Sequence, residues 1–206
     1  MKRLYLLRHG QTEFNVKKLV QGRCDSPLTD LGRHQAQAAA TWLKAHDVVP
    51  DKVISSPLGR AMDTASLVAT ELLGPSAAVE PCEGIIERGY GTFEEGPHDA
   101  LPTDVWDPGE ELVPFGGEGS HALQERMVGT LTNLMGAKGI ETLLAVSHGS
   151  ASRQFIKAVA PGGFEFPTKL PNCAIMIFDF DDAREEDDAP QCKFTLQQIV
   201  DPQQSH

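Results

Sequence analysis

In Leu4-Tyr5-Leu6-Leu7-Arg8-His9-Gly10 an apolar run stops abruptly on a cation, an imidazole and a glycine. A short unbroken apolar run is the mark of a strand buried on both faces of a parallel sheet. In open α/β sheets ligands bind beyond the carboxyl ends of such strands. Arg8 and His9 are therefore predicted to stand where the fold presents its site. The pattern recurs once: Thr142-Leu143-Leu144-Ala145-Val146-Ser147 runs into His148-Gly149. A glycine after each histidine lets the backbone turn sharply and lets a ligand approach closely.

Working outward, helices and strands alternate. Residues 10–28 read as a polar loop. Thr29 is placed to cap a helix running to about His46, with Leu31, Ala38, Trp42 and Ala45 on one stripe. Val53-Ile54-Ser55 reads as a strand. Pro57 is expected at the first position of the next helix, whose apolar positions run from Leu58 to Leu72 before Gly74-Pro75 stops it. Ala78-Val79-Glu80 is a third strand candidate. Residues 91–117 are rich in Gly and Pro without periodicity, as expected of a lid insertion. A helix is expected from Ser120 to Met135 with Gly136 as its stop, and a short one after His148 carrying Phe155 and Val159. Cys173–Phe178 and Phe194–Leu196 read as closing strands, joined by a loop with the acidic run Asp181–Asp188, a solvated charge run rather than a metal site. The expectation is a three-layer α/β/α sandwich with a mainly parallel sheet, an antiparallel edge strand and a lid, in one domain over residues 1–206.

The formal net charge of −11 argues against nucleic acid or an anionic membrane as partner. No apolar run approaches a membrane span, and Arg8 cuts the first one too short for a signal peptide, so a cytoplasmic protein is expected. Cys24, Cys82, Cys173 and Cys192 lie far apart without metal-ligand spacing and read as free thiols. A homodimer is compatible with the sequence and not required by it.

Against this negative background, a cluster of cations is telling. Arg8 follows one strand directly, and Arg60 falls in the first turn of the helix after another. Arginine suits the oxygens of a phosphoryl group, and helix N-termini nearby add backbone donors. Two imidazoles with two arginines read as a site for a phosphoryl group.

At this point the chain resembles the histidine phosphatase superfamily, in its phosphoglycerate-mutase-like branch. The resemblance rests on Arg8-His9-Gly10-Gln11-Thr12 with Asn15, Gln21-Gly22-Arg23, Pro27-Leu28-Thr29, Gly32 and Ser55-Ser56-Pro57-Leu58-Gly59-Arg60-Ala61. It continues through Glu87-Arg88-Gly89-Tyr90-Gly91, Gly117-Glu118, Ser147-His148-Gly149 and Asn172. It implies a covalent phosphohistidine on His9, with Arg8, Arg60 and His148 holding the phosphoryl oxygens. Glu87 would protonate the leaving oxygen and then activate water. Substrate contacts would come from Asn15, Gln21, Gly22, Arg88, Tyr90, Gly149 and Asn172. Neither a metal nor another cofactor is implied. The substrate would be a small-molecule phosphomonoester.

Mutases of this family hold a doubly anionic intermediate with lysine and arginine in the insertion. Here no Lys or Arg falls between Arg88 and Arg126, while Glu94, Glu95, Asp99, Asp104, Asp107, Glu110, Glu111, Glu118 and Glu125 do. Glu95 also stands as an extra residue before Gly96. This favours hydrolysis over transfer. The leaving group is expected to be neutral, apolar or cationic, packing on Trp106, Leu112 or Phe115. A cofactor-dependent phosphoglycerate mutase is the first alternative, and a catalytically silent relative that binds phosphorylated ligands the second. Gly117–Ala122 matches a loose nucleotide-binding pattern but follows no strand and carries acids where a pyrophosphate would lie.

Overall fold

The computed structural model describes residues 1–160, 170–182 and 193–204. The strands are β1 (Lys2–Arg8), β2 (Lys52–Ser55), β3 (Glu80–Pro81), β4 (Thr142–Ser147), β5 (Ile175–Phe180) and β6 (Phe194–Val200). They form one sheet in the order β3-β2-β4-β1-β5-β6. β1, β2, β3 and β4 pair in parallel. The antiparallel edge is a pair, β5 running against β1 and β6 against β5.

The helices are α1 (Glu13–Lys17), α2 (Asp30–Ala45), α3 (Gly59–Leu73), α4 (Ser120–Met135) and α5 (Gly149–Val159). The alternation of side chains along each central strand decides which helices cover which face. Leu4, Leu6, Leu143 and Ala145 pack with Leu123, Met127, Leu131 and Phe155 of α4 and α5. Tyr5, Leu7, Leu144 and Val146 pack with α2 and α3 through Ala36, Ala39, Leu43, Ala65 and Val68. Two cores on one sheet make the three-layer α/β/α sandwich.

Several local expectations are corrected. α2 buries Gly32, Gln35, Ala36, Ala39, Ala40 and Leu43, a stripe rotated from the one expected. Small residues let the helix approach the sheet, whereas Leu31 is exposed and Trp42 stacks on His46 at 3.8 Å. α3 starts at Gly59, two residues after Pro57. Its first N–H groups are capped from outside, since Asp25 accepts from Gly59 N at 2.9 Å and Arg60 N at 3.4 Å. Within the expected loop, α1 forms behind a capping box between Thr12 and Asn15. Most of the acidic run lies outside the described residues.

Residues 91–117 carry three short 3₁₀ turns and a small core of their own, in which Leu101 and Leu112 meet Val20 and Tyr90. Backbone hydrogen bonds tie them to the loop after α1: Val20 N to Gly96 O, Glu95 N to Val20 O and His98 N to Lys18 O. Glu95 adopts φ +66°, a left-handed turn within this pairing.

Candidate active site

Register brings the two histidines together. Arg8 of β1 is paired with Ser147 of β4, so the residues that follow leave the sheet side by side. His9 N donates to Ser147 O at 2.9 Å, and the imidazole rings of His9 and His148 meet edge to face at 5.2 Å. Both side chains are buried.

Proton placement on His9 follows from its partner. Nδ1 lies 2.7 Å from Gly10 O, and a carbonyl only accepts, so Nδ1 carries the hydrogen. Burial first, then the guanidinium groups of Arg60 and Arg8, holds the His9 imidazole well below its ordinary pKa. The neutral ring therefore keeps a lone pair on Nε2. Burial, Arg60 and His9 lower His148 in the same way.

A cavity of about 60 Å³ opens beside these rings, enough for a phosphoryl group with a compact substituent. Arg8, His9, Asn15, Gln21, Gly22, Arg60, Glu87, Tyr90 and Gly149 line it, together with Leu19, Val20, His98, Val105, Trp106 and Ser150.

Each polar liner is held by its neighbours. Arg60 donates to Gly22 O and Cys24 O, both at 2.7 Å, which leaves Nε free; Gly22 adopts φ +53°, offering its carbonyl through a turn that a side chain would strain. Arg8 donates to Leu170 O and keeps its own Nε unpartnered. Burial lowers its pKa to about 10, so it remains cationic at neutral pH. Among the described residues, Arg8 Nε, Arg60 Nε and His148 Nδ1 are buried polar atoms without a partner; Arg8 and Arg60 line the cavity, and the His148 ring packs on His9, which lines it. Unmatched buried donors are costly unless a ligand completes them. Asn15 Oδ1 accepts from Thr12 N and Asn172 Nδ2, which frees the Asn15 amide hydrogens for a ligand.

Glu87 caps α5 from outside. Its Oε1 accepts from Ala151 N at 2.8 Å and Arg88 N at 2.9 Å, and its Oε2 from Ser150 N at 3.3 Å. Three backbone donors thus fix a carboxylate at the cavity wall. Trp106 seals the other side, 5.1 Å from the Arg8 guanidinium carbon. It packs on Gly149, where a Cβ would come within 2.7 Å of the indole.

Two expected substrate contacts point elsewhere. Arg88 is fully buried, donating to Ser150 Oγ, Gly109 O, Glu118 O and Ser120 Oγ, so its guanidinium ties loops together and does not line the cavity. Asn172 lies one layer back, donating to His9 O and Asn15 Oδ1. Of the aromatic and apolar residues expected around the leaving group, Trp106 lines the cavity, Leu112 is buried in the small core, and Phe115 is exposed.

The acidic segment also differs from expectation. Asp107 pairs with Lys157, Glu118 with Arg126, and Glu94 accepts from Tyr90 N, Arg23 N and Cys24 Sγ. Among the described residues, Glu87 is the one acid lining the cavity. Ser56 and Glu94 stand in the sequence as a motif residue and as one acid of the insertion; their contacts with His148 and with Arg23 N are not legible there, because these partners lie 92 and 71 residues away.

A family model for the histidine phosphatase superfamily (branch 1) matches residues 4–188. The chain belongs to this superfamily. Among its relatives is a probable phosphoglycerate mutase of Photorhabdus laumondii, 31% identical over 191 residues, covering 87% of this chain and 86% of that one. A broad-specificity phosphatase of Saccharomyces cerevisiae is 31% identical over 158 residues, covering 75% and 69%. Among solved structures, a phosphoserine phosphatase from Entamoeba histolytica in complex with 3-phosphoglyceric acid superposes with a TM-score of 0.74 at 27% identity, covering 97% and 96%. Phosphatase- and mutase-named proteins thus both stand among this histidine phosphatase superfamily member's relatives. No helix of the described residues is long and apolar enough to cross a membrane.

Proposed function

We propose that this protein hydrolyses small phosphomonoesters through a phosphohistidine on His9. The observation that carries the reading is the His9 tautomer: Nδ1–H is committed to Gly10 O, and Nε2 is a neutral nucleophile beside two guanidinium groups. Nε2 attacks phosphorus, forming the N–P bond as the ester P–O bond breaks. Arg8, Arg60, His148 and Asn15 neutralise and orient the phosphoryl oxygens, the main requirement of phosphoryl transfer. Glu87, taking up a proton as the phosphate ester monoanion binds, passes it to the leaving oxygen. Water then attacks phosphorus, Glu87 takes a proton from it, and His9 is regenerated with release of inorganic phosphate. In this scheme the arginines supply the charge neutralisation that a metal supplies in other phosphoryl-transfer sites. The cytoplasm is the setting we propose.

Hydrolysis is preferred over transfer because, among the described residues, Arg8 and Arg60 are the only arginines lining the cavity and no lysine lines it. The 91–117 segment contributes His98, Val105 and Trp106 and no lysine or arginine, and His98 Nε2 is engaged with Leu19 O at 3.2 Å. That wall favours an uncharged leaving group against Trp106, Val105, Leu19 and Val20. The mutase reading has the named relatives in its favour. One experiment separates the two: a panel of alkyl, aryl, phosphoserine and phosphoglycerate esters, assayed for phosphate release beside a coupled mutase assay with and without 2,3-bisphosphoglycerate. The expected result is phosphate release from neutral esters and an acid-labile, base-stable phosphoprotein lost in His9→Ala. Strong bisphosphoglycerate-dependent mutase activity would overturn it, and absence of the phosphoprotein would leave a silent binder.

A further inference from the structure

We propose that Ser56 is a positioning residue that fixes the tautomer of His148, its hydroxyl donating to Nε2 so that Nδ1–H faces the phosphoryl group. The inference rests on the phosphoryl site proposed above.

His148 Nε2 lies 2.7 Å from Ser56 Oγ, and both side chains are fully buried. Leu58 N also donates to Ser56 Oγ, at 3.4 Å. Two proton arrangements are open, and hydrogen-bond satisfaction separates them. If Nε2–H donated to Ser56, the hydroxyl hydrogen would need a second acceptor, and none is present among the described residues. Nδ1 would then be a bare lone pair near the guanidinium groups, repelling any anionic oxygen brought between them. If Ser56 O–H donates to Nε2, then Ser56, Leu58 N and Nε2 are all satisfied. One donor remains, Nδ1–H, and it joins Arg8 Nε and Arg60 Nε as the unpartnered buried donors of the site. An anion completes all three, whereas the opposite tautomer leaves a misfit with or without ligand. Which ring nitrogen carries the proton is set by the bond the other one makes.

The same device acts on His9 with opposite sense. There a carbonyl acceptor fixes Nδ1–H and frees Nε2 as nucleophile. At His148 a hydroxyl donor fixes Nε2 as acceptor and frees Nδ1–H as a donor. Two neutral imidazoles 5.2 Å apart thus acquire different roles from one hydrogen-bond partner each.

The test is nitrogen-15 NMR of histidine-labelled full-length protein, wild type against Ser56→Ala and Ser56→Thr, with melting temperature as the check on folding. Wild type and Ser56→Thr are expected to show His148 protonated at Nδ1, and Ser56→Ala to lose that preference. With p-nitrophenyl phosphate, Ser56→Ala should lower kcat about 100-fold, the scale of one preorganised donor, while Ser56→Thr recovers most of it. A wild-type His148 protonated at Nε2, or a Ser56→Ala variant with unchanged tautomer and rate, would overturn the assignment. If the three proteins show the expected tautomers but none releases phosphate from any ester, the hydrolase reading falls and the Ser56 assignment stands.

Discussion

The indole of Trp106 covers the guanidinium of Arg8, with 5.1 Å between the ring centroid and the guanidinium carbon. A desolvated cation–π contact of this kind contributes roughly 1–2 kcal/mol, about a factor of ten in binding. Trp106→Ala is therefore expected to lower kcat/KM for compact alkyl phosphates about tenfold. Bulky aryl phosphates should lose less, since they gain the room the indole occupied. A rate series across ester size checks this, and an equal loss at every size would refute it.

The buried histidines make stability fall with acid. His9 and His148 are held well below the ordinary imidazole pKa in the folded chain. Below pH ~6.5 the unfolded chain takes up protons that the folded chain refuses, so folding weakens as pH drops toward the folded pKa values. The slope reaches ~1.4 kcal/mol per pH unit for each group, and it vanishes above about pH 6.5. Denaturation midpoints should therefore rise most between about pH 5 and 6 and less between about pH 6 and 7 in wild type, and rise less in a His9→Gln, His148→Gln double variant.

Glu94 acts on Arg60 at one remove. Its carboxylate accepts from Tyr90 N, Arg23 N and Cys24 Sγ, and so clamps the turn whose Gly22 and Cys24 carbonyls hold Arg60. Glu94→Ala leaves two N–H groups unmatched and is expected to cost about 1–3 kcal/mol of stability. It should also weaken vanadate inhibition about tenfold, because a loosened guanidinium is no longer preorganised for an anion. Glu94→Gln, which keeps an acceptor, should stay within about threefold of wild type. Inhibition constants alongside melting curves distinguish this from general destabilisation.

Arg88 is a fold residue in this structure. Its guanidinium bonds two serine hydroxyls and two carbonyls at full burial. Arg88→Met is expected to destabilise by more than ~3 kcal/mol, and Arg88→Lys to recover little, because a point ammonium cannot replace a planar fork. A soluble, stable Arg88→Met variant with only a raised KM would instead indicate a substrate contact.

What the sequence determined by itself is local. Apolar runs of strand length, each stopped by a histidine and a glycine, were sufficient to predict β1, β4 and a parallel sheet, since burial and turn chemistry act over a few residues. Helix stops at Gly74 and Gly136 were legible for the same reason. The same local evidence assembled Arg8, His9, Arg60 and His148 as a phosphoryl-binding set, and the tertiary structure brings these side chains together. The direction in which an individual side chain faces was not local. Arg88 turns inward because Ser150, Gly109, Glu118 and Ser120 converge on it from four places in the chain. Asp107 and Glu94 of the 91–117 segment are claimed by Lys157 and by the backbone donors Arg23 N and Tyr90 N, and neither lines the cavity. Proton placement on the two imidazoles was decided last and furthest away in kind. It depends on single hydrogen-bond partners, Gly10 O for His9 and Ser56 Oγ for His148, and the second is brought there only by the folded sheet.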